Sequence, residues 1–367
     1  MRFKRTFTDP VPEERRKAYE QAGITAIHGQ AQFEDKTTVR VNGKTLRAKD
    51  IVVASGAKEL RVADGDDLLL TSEQFLDVDE LPSSVLFVGG GYIAFEFAHV
   101  AARAGSRVTI LNDNDEPLHG FDRDVLEKLL AATRDIGIAV ELNARVKSVR
   151  REDSEIVVSA KRDDKDLTFR ARGGVLAAGR VPDIDDLCLE RGGIERTKKG
   201  VKVDAEMRSV SNPNVFACGD AADAGGLPLT PVAGYTAEIV ASNLLDRAKR
   251  TVDFTGLASM VYTIPPLGSV GLDEKGANER GLAFDVHQGD MSQWYATRHI
   301  AGRVAFYKVL TGKNSGELLG ATILGPHAEE QINVLALAVR QKINAAAVKD
   351  ALYAYPTGSS DLESMLA

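Results

Sequence analysis

Two segments of the 367-residue chain carry residue types and spacings suited to binding a nucleotide. The first is a Gly-x-Gly-x-x-Ala pattern formed by Gly89, Gly91 and Ala94 after a strongly apolar run. Glycines permit a tight turn and close backbone approach, alanine lets a helix pack near the strand, and a helix N-terminus offers free N–H groups to phosphate. The pattern therefore predicts a strand, turn and helix that bind a dinucleotide's pyrophosphate, with Tyr92 and Ile93 in the same turn.

The second segment places a carboxylate directly after an apolar strand. Gly219 and Asp220 follow the run Asn214–Cys218. Leu229 and Thr230 stand a few residues later, at the predicted start of a helix. A carboxylate beyond the end of a strand can accept hydrogen bonds from a sugar-like polyol. We therefore interpret Asp220 as a ligand-binding residue rather than a plain turn cap.

The surrounding hydrophobic patterns predict the elements that position these residues. An apolar strand over residues 107–112 completes a strand-helix-strand unit around the first glycine pattern. Apolar residues at helical spacing predict a helix from Asp122 to Ile136, followed by a strand and an antiparallel meander. Asn42-Gly43 within an alternating segment predicts a β-hairpin, and a further helix is predicted from Val232 to Lys249.

Composition and charge exclude several classes of protein. Lys and Arg number 46 against 53 Asp and Glu, and the net charge of −7 argues against a nucleic-acid binder or a membrane-surface protein. No apolar run reaches the roughly 20 residues of a membrane-spanning helix, and the N-terminus lacks the apolar core of a signal peptide, so we expect a cytoplasmic protein. Cys188 and Cys218 form no CxxC motif, and no histidine pair has metal-ligand spacing, so no metal site is expected.

The order of these motifs resembles that of class I pyridine nucleotide-disulfide oxidoreductases, the group of glutathione reductase and dihydrolipoamide dehydrogenase. The resemblance implies an α/β fold with tandem dinucleotide-binding, Rossmann-like domains, the first truncated, followed by a C-terminal α+β dimerisation domain. The implied domains are a remnant of the FAD-binding domain at 1–80, an NAD(P)-binding domain at 81–181, the continuation of the FAD-binding domain at 182–252 and the dimerisation domain at 253–367.

The resemblance also implies roles for individual residues. Asp220 would bind the ribityl chain of FAD, and Leu229 and Thr230 would contact the flavin. Glu96, on the helix after the glycine turn, would act catalytically near nicotinamide and flavin, and Tyr355 would face the flavin of the other subunit in a homodimer. The implied cofactor-binding residues are Ser55, Gly56, Gly89, Gly91, Tyr92, Ile93, Ala94, Asn112, Gly179, Arg180, Gly219, Asp220, Leu229 and Thr230.

The N-terminal FAD fingerprint and the redox-active CxxxxC of that family are missing from this sequence. The chain begins where about the first quarter of a family member would already be finished. Three explanations stay open: the sequence is truncated, the missing part is supplied separately, or the protein has lost that half of the site. Dithiol chemistry is therefore not assigned to this polypeptide.

The C-terminal motif also departs from the family. Tyr355-Pro356-Thr357 resembles the His-Pro-Thr motif, with Tyr355 in place of the catalytic histidine and Ser360 in place of its glutamate partner. Tyrosine phenols ordinarily titrate near pH 10 and cannot shuttle protons near neutrality as histidine does. This version resembles relatives that move hydride without the dyad, such as soluble transhydrogenases.

We expect hydride transfer from NAD(P)H to FAD, followed by reduction of a small-molecule acceptor that the sequence does not identify. After Asn112, the acids Asp113, Asp115 and Glu116 stand where NADPH-selective relatives carry arginine, which favours NADH. Two alternatives are a thiol-disulfide reductase of the glutathione or lipoamide type whose N-terminal part is missing, and a non-catalytic NAD(P)-binding dimer.

Overall fold

The computed structural model describes residues 1–246 and 249–367. The helices in this part of the chain are α1 (Arg2–Thr8), α2 (Val11–Gln21), α3 (Ser72–Asp77), α4 (Tyr92–Arg103), α5 (Arg123–Asp135), α6 (Thr230–Leu245), α7 (Glu274–Glu279), α8 (Tyr295–Arg298), α9 (Ala328–Arg340), α10 (Ala345–Lys349) and α11 (Leu362–Met365).

The strands of the first half are β1 (Ala31–Asp35), β2 (Thr38–Val41), β3 (Lys44–Arg47), β4 (Ile51–Val53), β5 (Ala57–Glu59), β6 (Ser84–Val88), β7 (Arg107–Leu111), β8 (Ala139–Glu141), β9 (Arg145–Glu152), β10 (Glu155–Arg162), β11 (Lys165–Ala171) and β12 (Gly173–Leu176). Those of the second half are β13 (Arg180–Pro182), β14 (Arg196–Thr197), β15 (Gly200–Lys202), β16 (Val215–Ala217), β17 (Ala222–Asp223), β18 (Ala258–Val261), β19 (Leu267–Gly271), β20 (Phe284–Asp290), β21 (Phe306–Gly312) and β22 (Leu318–Leu324).

The chain divides into two compact units, each built from separated stretches of sequence. Unit 1 comprises Met1–Leu60, Asp77–Asp79 and Arg180–Asp253, and unit 2 comprises Arg61–Leu76, Glu80–Gly179 and Phe254–Ala367. Unit 1 thus contains most of the two segments predicted to form an FAD-type domain. Unit 2 contains nearly all of the segments predicted as NAD(P)-binding and dimerisation domains.

Residues 61–76 belong to unit 2, although the sequence pattern grouped them with 1–80. The physical reason is a backbone pairing with a distant strand, which no pattern in the sequence predicts. The backbone N–H of Leu70 donates to the carbonyl of Gly174 at 2.9 Å, and Leu69 is buried in the same core cluster as Leu86. The segment therefore pairs with the edge strand β12 of the sheet that carries the glycine turn.

That sheet is parallel, with strand order β12-β6-β7-β8. All five residues of β6 are buried, as expected for a strand covered on both faces. Helices α4 and α5 contribute Phe95 and Leu129 to a core that also contains Phe87 and Ile110, each essentially inaccessible to solvent. Strand β6 lies between β12 and β7, which is the kind of switch point where open α/β sheets bind ligands.

The remainder of unit 2 is antiparallel. Strands β11-β10-β9 form the predicted meander, and β18-β19-β22-β21-β20 form a five-stranded sheet. Helix α9 packs on this sheet through Ile332 and Leu335, both fully buried in a cluster with Ile323. This sheet and helix position the C-terminal segment that follows them.

Unit 1 is held together by small sheets and one long helix. Strands β4 and β16 pair in parallel, and the predicted hairpin is confirmed, with Asn42 and Gly43 at φ +50° and +76° between β2 and β3. The helix predicted over residues 232–249 is observed as α6, Thr230–Leu245, and residues 247 and 248 of that prediction lie outside the described residues.

Candidate cofactor sites

The turn after β6 requires glycine for steric reasons. Gly89 has φ +118°, and a Cβ there would lie 2.1 Å from the carbonyl oxygen of Ala177. A Cβ at Gly90 would lie 2.3 Å from Oδ1 of Asn112, whereas a Cβ at Gly91 would meet no atom within 4 Å. The first two glycines therefore build the turn, and the third keeps open the space in front of it.

Helix α4 begins immediately after this turn. Gly91 is its N-cap and supplies no side chain, so the first-turn N–H groups of Tyr92, Ile93 and Ala94 have no side-chain acceptor. Ala94 is fully buried, which lets the helix lie close to the sheet. Unsatisfied N–H groups and the positive end of the helix dipole favour an anion. The turn and helix thus fit the pyrophosphate of a dinucleotide.

Asn112 lies beneath the turn. Its side chain is buried, and Nδ2 donates to the carbonyl and to Oδ1 of Asn114, both at 3.0 Å. With Oδ1 placed next to Gly90, Asn112 supports the turn from behind. The acids Asp113, Asp115 and Glu116 that follow it are exposed.

Glu96 has a partner inside unit 2. Its Oε1 accepts a hydrogen bond from the backbone N–H of Tyr262 at 2.9 Å. Burial raises the pKa of Glu96, and the Tyr262 N–H partly opposes that shift. Glu96 therefore ties α4 to the segment that follows β18.

A cleft of about 390 Å³ lies in unit 1 at the carboxyl ends of the parallel strands β4 and β16. It brings together five of the residues predicted to bind a cofactor, although more than 160 positions separate the first of them from the second. Ser55 is exposed beside the cleft without lining it. The five residues are Gly56, Gly219, Asp220, Leu229 and Thr230.

The turn that carries Asp220 is fixed against α6. Gly219 has φ +61°, and a Cβ there would lie 3.3 Å from the Cβ of Ala233. Its backbone N–H donates to Oγ1 of Thr236 at 3.0 Å. The cleft is therefore lined mainly by small and apolar residues with one carboxylate, which fits the ring and polyol portion of a flavin.

The environment of the Cys218 thiol, next to this turn, makes it unreactive. Cys218 is buried, and burial raises the pKa of its thiol, so the neutral form dominates near neutral pH. Cys188 is also a free cysteine, and no disulfide links it to Cys218. Cys218 lines the cleft as well, as a buried and neutral thiol that also belongs to the core of unit 1.

Gly179 and Arg180 fall on either side of the boundary between the units. Gly179 ends its stretch of unit 2 with φ +111°, and Arg180 begins a stretch of unit 1. The Arg180 guanidinium lies 2.9 Å from the carboxylate of Glu59 and also donates to the carbonyl of Ala57. The side chain of Arg180 thus stabilises the pairing of β13 with β5.

Tyr355 lines a second cleft, of about 540 Å³, within unit 2. Its side chain is 78% exposed, so it presents its ring at the surface. The cleft is also lined by His299 and His327, which sequence reasoning did not connect with Tyr355. No local pattern could have connected them, because 28 positions separate each of these residues from the next.

In residues 1–246 and 249–367, no helix combines the length and apolarity needed to cross a bilayer. The same residues contain no cluster of three or more His, Cys, Asp or Glu side chains arranged to hold a metal ion.

Comparison with known proteins identifies the family. The model of the pyridine nucleotide-disulphide oxidoreductase family matches residues 8–237, and the model of that family's dimerisation domain matches residues 257–366. The dihydrolipoyl dehydrogenase of Staphylococcus aureus is 29% identical over 341 residues, which cover 91% of this chain and 72% of that protein.

Two more similarities concern a shorter protein and a solved structure. An uncharacterized 19.7 kDa protein in a mercuric resistance operon of Staphylococcus aureus is 41% identical over 178 residues, covering 48% of this chain and 99% of that protein. The HOCl-induced flavoprotein disulfide reductase RclA from Escherichia coli superposes with a TM-score of 0.86 at 26% identity, covering 96% of this chain and 82% of that one. These matches confirm the predicted fold class, and the chain belongs to the pyridine nucleotide-disulphide oxidoreductase family.

Proposed function

We propose that this protein is an FAD-dependent NAD(P)H oxidoreductase that reduces a small-molecule acceptor. The observation that carries the proposal is the cleft of unit 1, where Gly56, Gly219 and Asp220 meet the start of α6 at the ends of two parallel strands. The glycine turn of unit 2, which fits a dinucleotide, supports it independently.

The residues have distinct tasks in this proposal. Asp220 would accept hydrogen bonds from the ribityl hydroxyls, and Leu229 and Thr230 would bound the flavin ring. The N–H groups at the start of α4 would hold the coenzyme pyrophosphate. Bound FAD would supply the redox chemistry by taking two electrons from the reduced nicotinamide and passing them on.

A disulfide acceptor is the second candidate, because two of the similar proteins are named dihydrolipoyl dehydrogenase and flavoprotein disulfide reductase. Such chemistry needs a reactive thiol pair. Of the two cysteines, Cys218 is buried with its pKa raised, and neither is paired. We therefore assign the described residues to electron transfer without dithiol chemistry.

The match of residues 257–366 to a dimerisation domain supports a homodimer. We expect sedimentation equilibrium of the purified protein to give twice the chain mass of 39.5 kDa. A monomer at micromolar concentration would contradict this assembly.

The visible absorption spectrum of the purified protein tests the proposal directly. Bound flavin that bleaches when NADH is added without air supports it. A protein that stays colourless after incubation with FAD contradicts it and favours the non-catalytic NAD(P)-binding dimer.

Replacement of Asp220 should remove the flavin. We expect Asp220→Ala to bind FAD at least tenfold more weakly than the wild type, because a polyol loses a charged acceptor worth about 1.5–3 kcal/mol. Asp223→Ala is the matched control, since Asp223 accepts a hydrogen bond from Thr197 at 2.7 Å and does not line the cleft. Equal FAD retention in both variants, measured by fluorescence titration, would place the flavin elsewhere.

The coenzyme preference follows from the exposed acids after β7. We expect NADH to bind at least about tenfold more tightly than NADPH. The 2′-phosphate of NADPH would be repelled by the carboxylates of Asp113, Asp115 and Glu116. Asp113→Arg should reduce or reverse the difference between the affinities for NADH and NADPH. Dissociation constants from coenzyme fluorescence decide the matter, and tighter NADPH binding by the wild type would overturn the preference.

A further inference from the structure

His99 is a buried titratable residue with no task in the proposed function. It lies on α4, about two turns after the glycine turn, and its side chain is fully inaccessible to solvent. Both ring nitrogens have partners. Nδ1 lies 3.2 Å from the backbone nitrogen of Ile264, and Nε2 lies 3.1 Å from Oγ1 of Thr133 on α5. The imidazole therefore joins three segments of unit 2.

These partners determine which ring nitrogen carries the proton. The backbone N–H of Ile264 is a donor, so Nδ1 accepts and carries no proton itself. The Thr133 hydroxyl donates to the carbonyl of Leu129 at 2.8 Å, so its oxygen accepts the proton on Nε2. Three hydrogen bonds thus run in one direction from Ile264 to Leu129, and each polarises the next. A protonated ring would turn a donor towards the Ile264 N–H and break the first bond.

Two further residues of α4 contact the same segment. Oε1 of Glu96 accepts the Tyr262 N–H at 2.9 Å, and the Arg103 guanidinium donates to the carbonyl of Ile264 at 3.4 Å. Positions 96, 99 and 103 are spaced three and four apart, so they lie on one face of the helix. Glu96 is partly exposed and Arg103 is exposed. His99 therefore makes the central and most deeply buried of these contacts.

The surroundings keep the imidazole neutral. Burial lowers the pKa of His99 to about 4, and the positive charge of Arg103 adds to the shift. The partners of the ring on the other two segments, the Thr133 hydroxyl and the Ile264 N–H, are uncharged. The carboxylate of Glu96, one turn earlier, is bound to the Tyr262 N–H. Nδ1 is therefore a hydrogen-bond acceptor throughout the neutral pH range.

We propose that His99 is a positioning residue for the coenzyme, because its bond with Ile264 holds α4 in the orientation that points the first-turn N–H groups at the pyrophosphate. This inference rests on the proposed function, since it takes the coenzyme to lie on the glycine turn. Helix α4 has those N–H groups at its start and the His99 contact about two turns later, so a tilt allowed at His99 also moves the N–H groups. Pyrophosphate binding depends on their direction, and a helix free to tilt binds it more weakly.

Two replacements separate the two bonds of the ring. Asparagine places its amide oxygen near the position of Nδ1 and can still accept from Ile264, whereas glutamine reaches the position of Nε2 and can still donate to Thr133. The probe is ADP-ribose, which carries the pyrophosphate without nicotinamide. We expect His99→Gln to bind ADP-ribose at least about tenfold more weakly than the wild type, and His99→Asn to stay within about threefold of it.

Isothermal titration calorimetry measures these affinities. His287→Gln is the matched control, because His287 lies on β20 and contacts Thr311 on β21. A histidine that served only to fill the core would produce similar losses in both His99 variants. Similar losses, or wild-type affinity in His99→Gln, would overturn the positioning role.

The pH dependence of unfolding provides a readout that a packing role would not change. Unfolded histidine titrates near pH 6.5, above the folded-state pKa of about 4, so the stability contributed by neutral His99 is complete above about pH 6.5 and is lost as pH falls towards 4. Between these values, unfolding takes up a proton at His99. The unfolding equilibrium constant of the wild type should therefore rise about tenfold more per unit fall in pH than that of His99→Asn. Parallel pH profiles in urea denaturation would contradict a ring held neutral by these bonds.

Hydrogen exchange tests the contact without any ligand. The Ile264 amide should exchange at least about tenfold faster in His99→Gln than in the wild type or in His99→Asn, because only His99→Gln lacks its acceptor. Mass spectrometry of the peptide that contains Ile264 measures the rates. Unchanged exchange in His99→Gln means that His99 does not hold this segment, and the proposal fails. If the wild type does not bind ADP-ribose, the coenzyme site of the proposed function fails, and the exchange rates still decide whether His99 holds α4.

Discussion

Replacement of Gly89 by alanine should abolish NADH binding and destabilise unit 2 by about 3 kcal/mol or more. The reason is that the new Cβ would lie 2.1 Å from the carbonyl oxygen of Ala177, at a φ of +118° that alanine rarely adopts. The backbone of β6 or of the segment after β12 would have to move. Urea denaturation followed by circular dichroism, together with a coenzyme titration, measures both effects.

Gly91→Ala separates the two effects. At φ −92°, with no atom within 4 Å of the added Cβ, this variant should lose less than about 1 kcal/mol of stability. The methyl group would occupy the open space before α4, so NADH affinity should fall about tenfold or more. If Gly91→Ala binds NADH as tightly as the wild type, the coenzyme does not lie on this turn.

Replacement of Lys308 by methionine should be the most destabilising change away from the cofactor sites. The Lys308 side chain is 3% exposed, and its Nζ lies 2.6 Å from Asp124, 2.6 Å from Glu274 and 3.2 Å from Asp122. Removing the ammonium would leave the buried carboxylate of Asp122 beside two other carboxylates. Breaking a buried ion pair in this way costs about 3–5 kcal/mol.

The pH dependence gives this variant a second signature. Burial alone would lower the pKa of Lys308, but the three carboxylates raise it above its ordinary value. A raised lysine pKa contributes stability in full below the unfolded-state pKa of about 10.4, and this contribution is lost as pH rises through the folded-state value. The stability difference between wild type and Lys308→Met should therefore be constant near pH 8 and shrink above about pH 10.4.

An exposed lysine provides the control for this prediction. Lys147 is exposed on β9, so Lys147→Met should change the denaturation midpoint little. A loss in Lys308→Met no larger than in Lys147→Met would mean that the carboxylates around Lys308 are stabilised by water instead.

The sequence by itself determined the features that are local along the chain. The turn at Gly89 and Gly91, the hairpin at Asn42-Gly43 and helix α5 each depend on neighbouring residues whose backbone preferences or periodicity are visible in a short window. The family and fold class were likewise predicted from the order of short motifs along the chain, and the comparisons confirm both.

Only the tertiary structure decided which distant residues meet. Sheet pairing brings Gly56 to Asp220, packing places residues 61–76 in unit 2, and Arg180 turns to Glu59. The cluster around Lys308 and the approach of His327 to Gly358 likewise join segments that no periodicity links. Such contacts depend on how strands and helices pack against one another. The pattern of residues in a short stretch of sequence does not specify which distant segments it will contact.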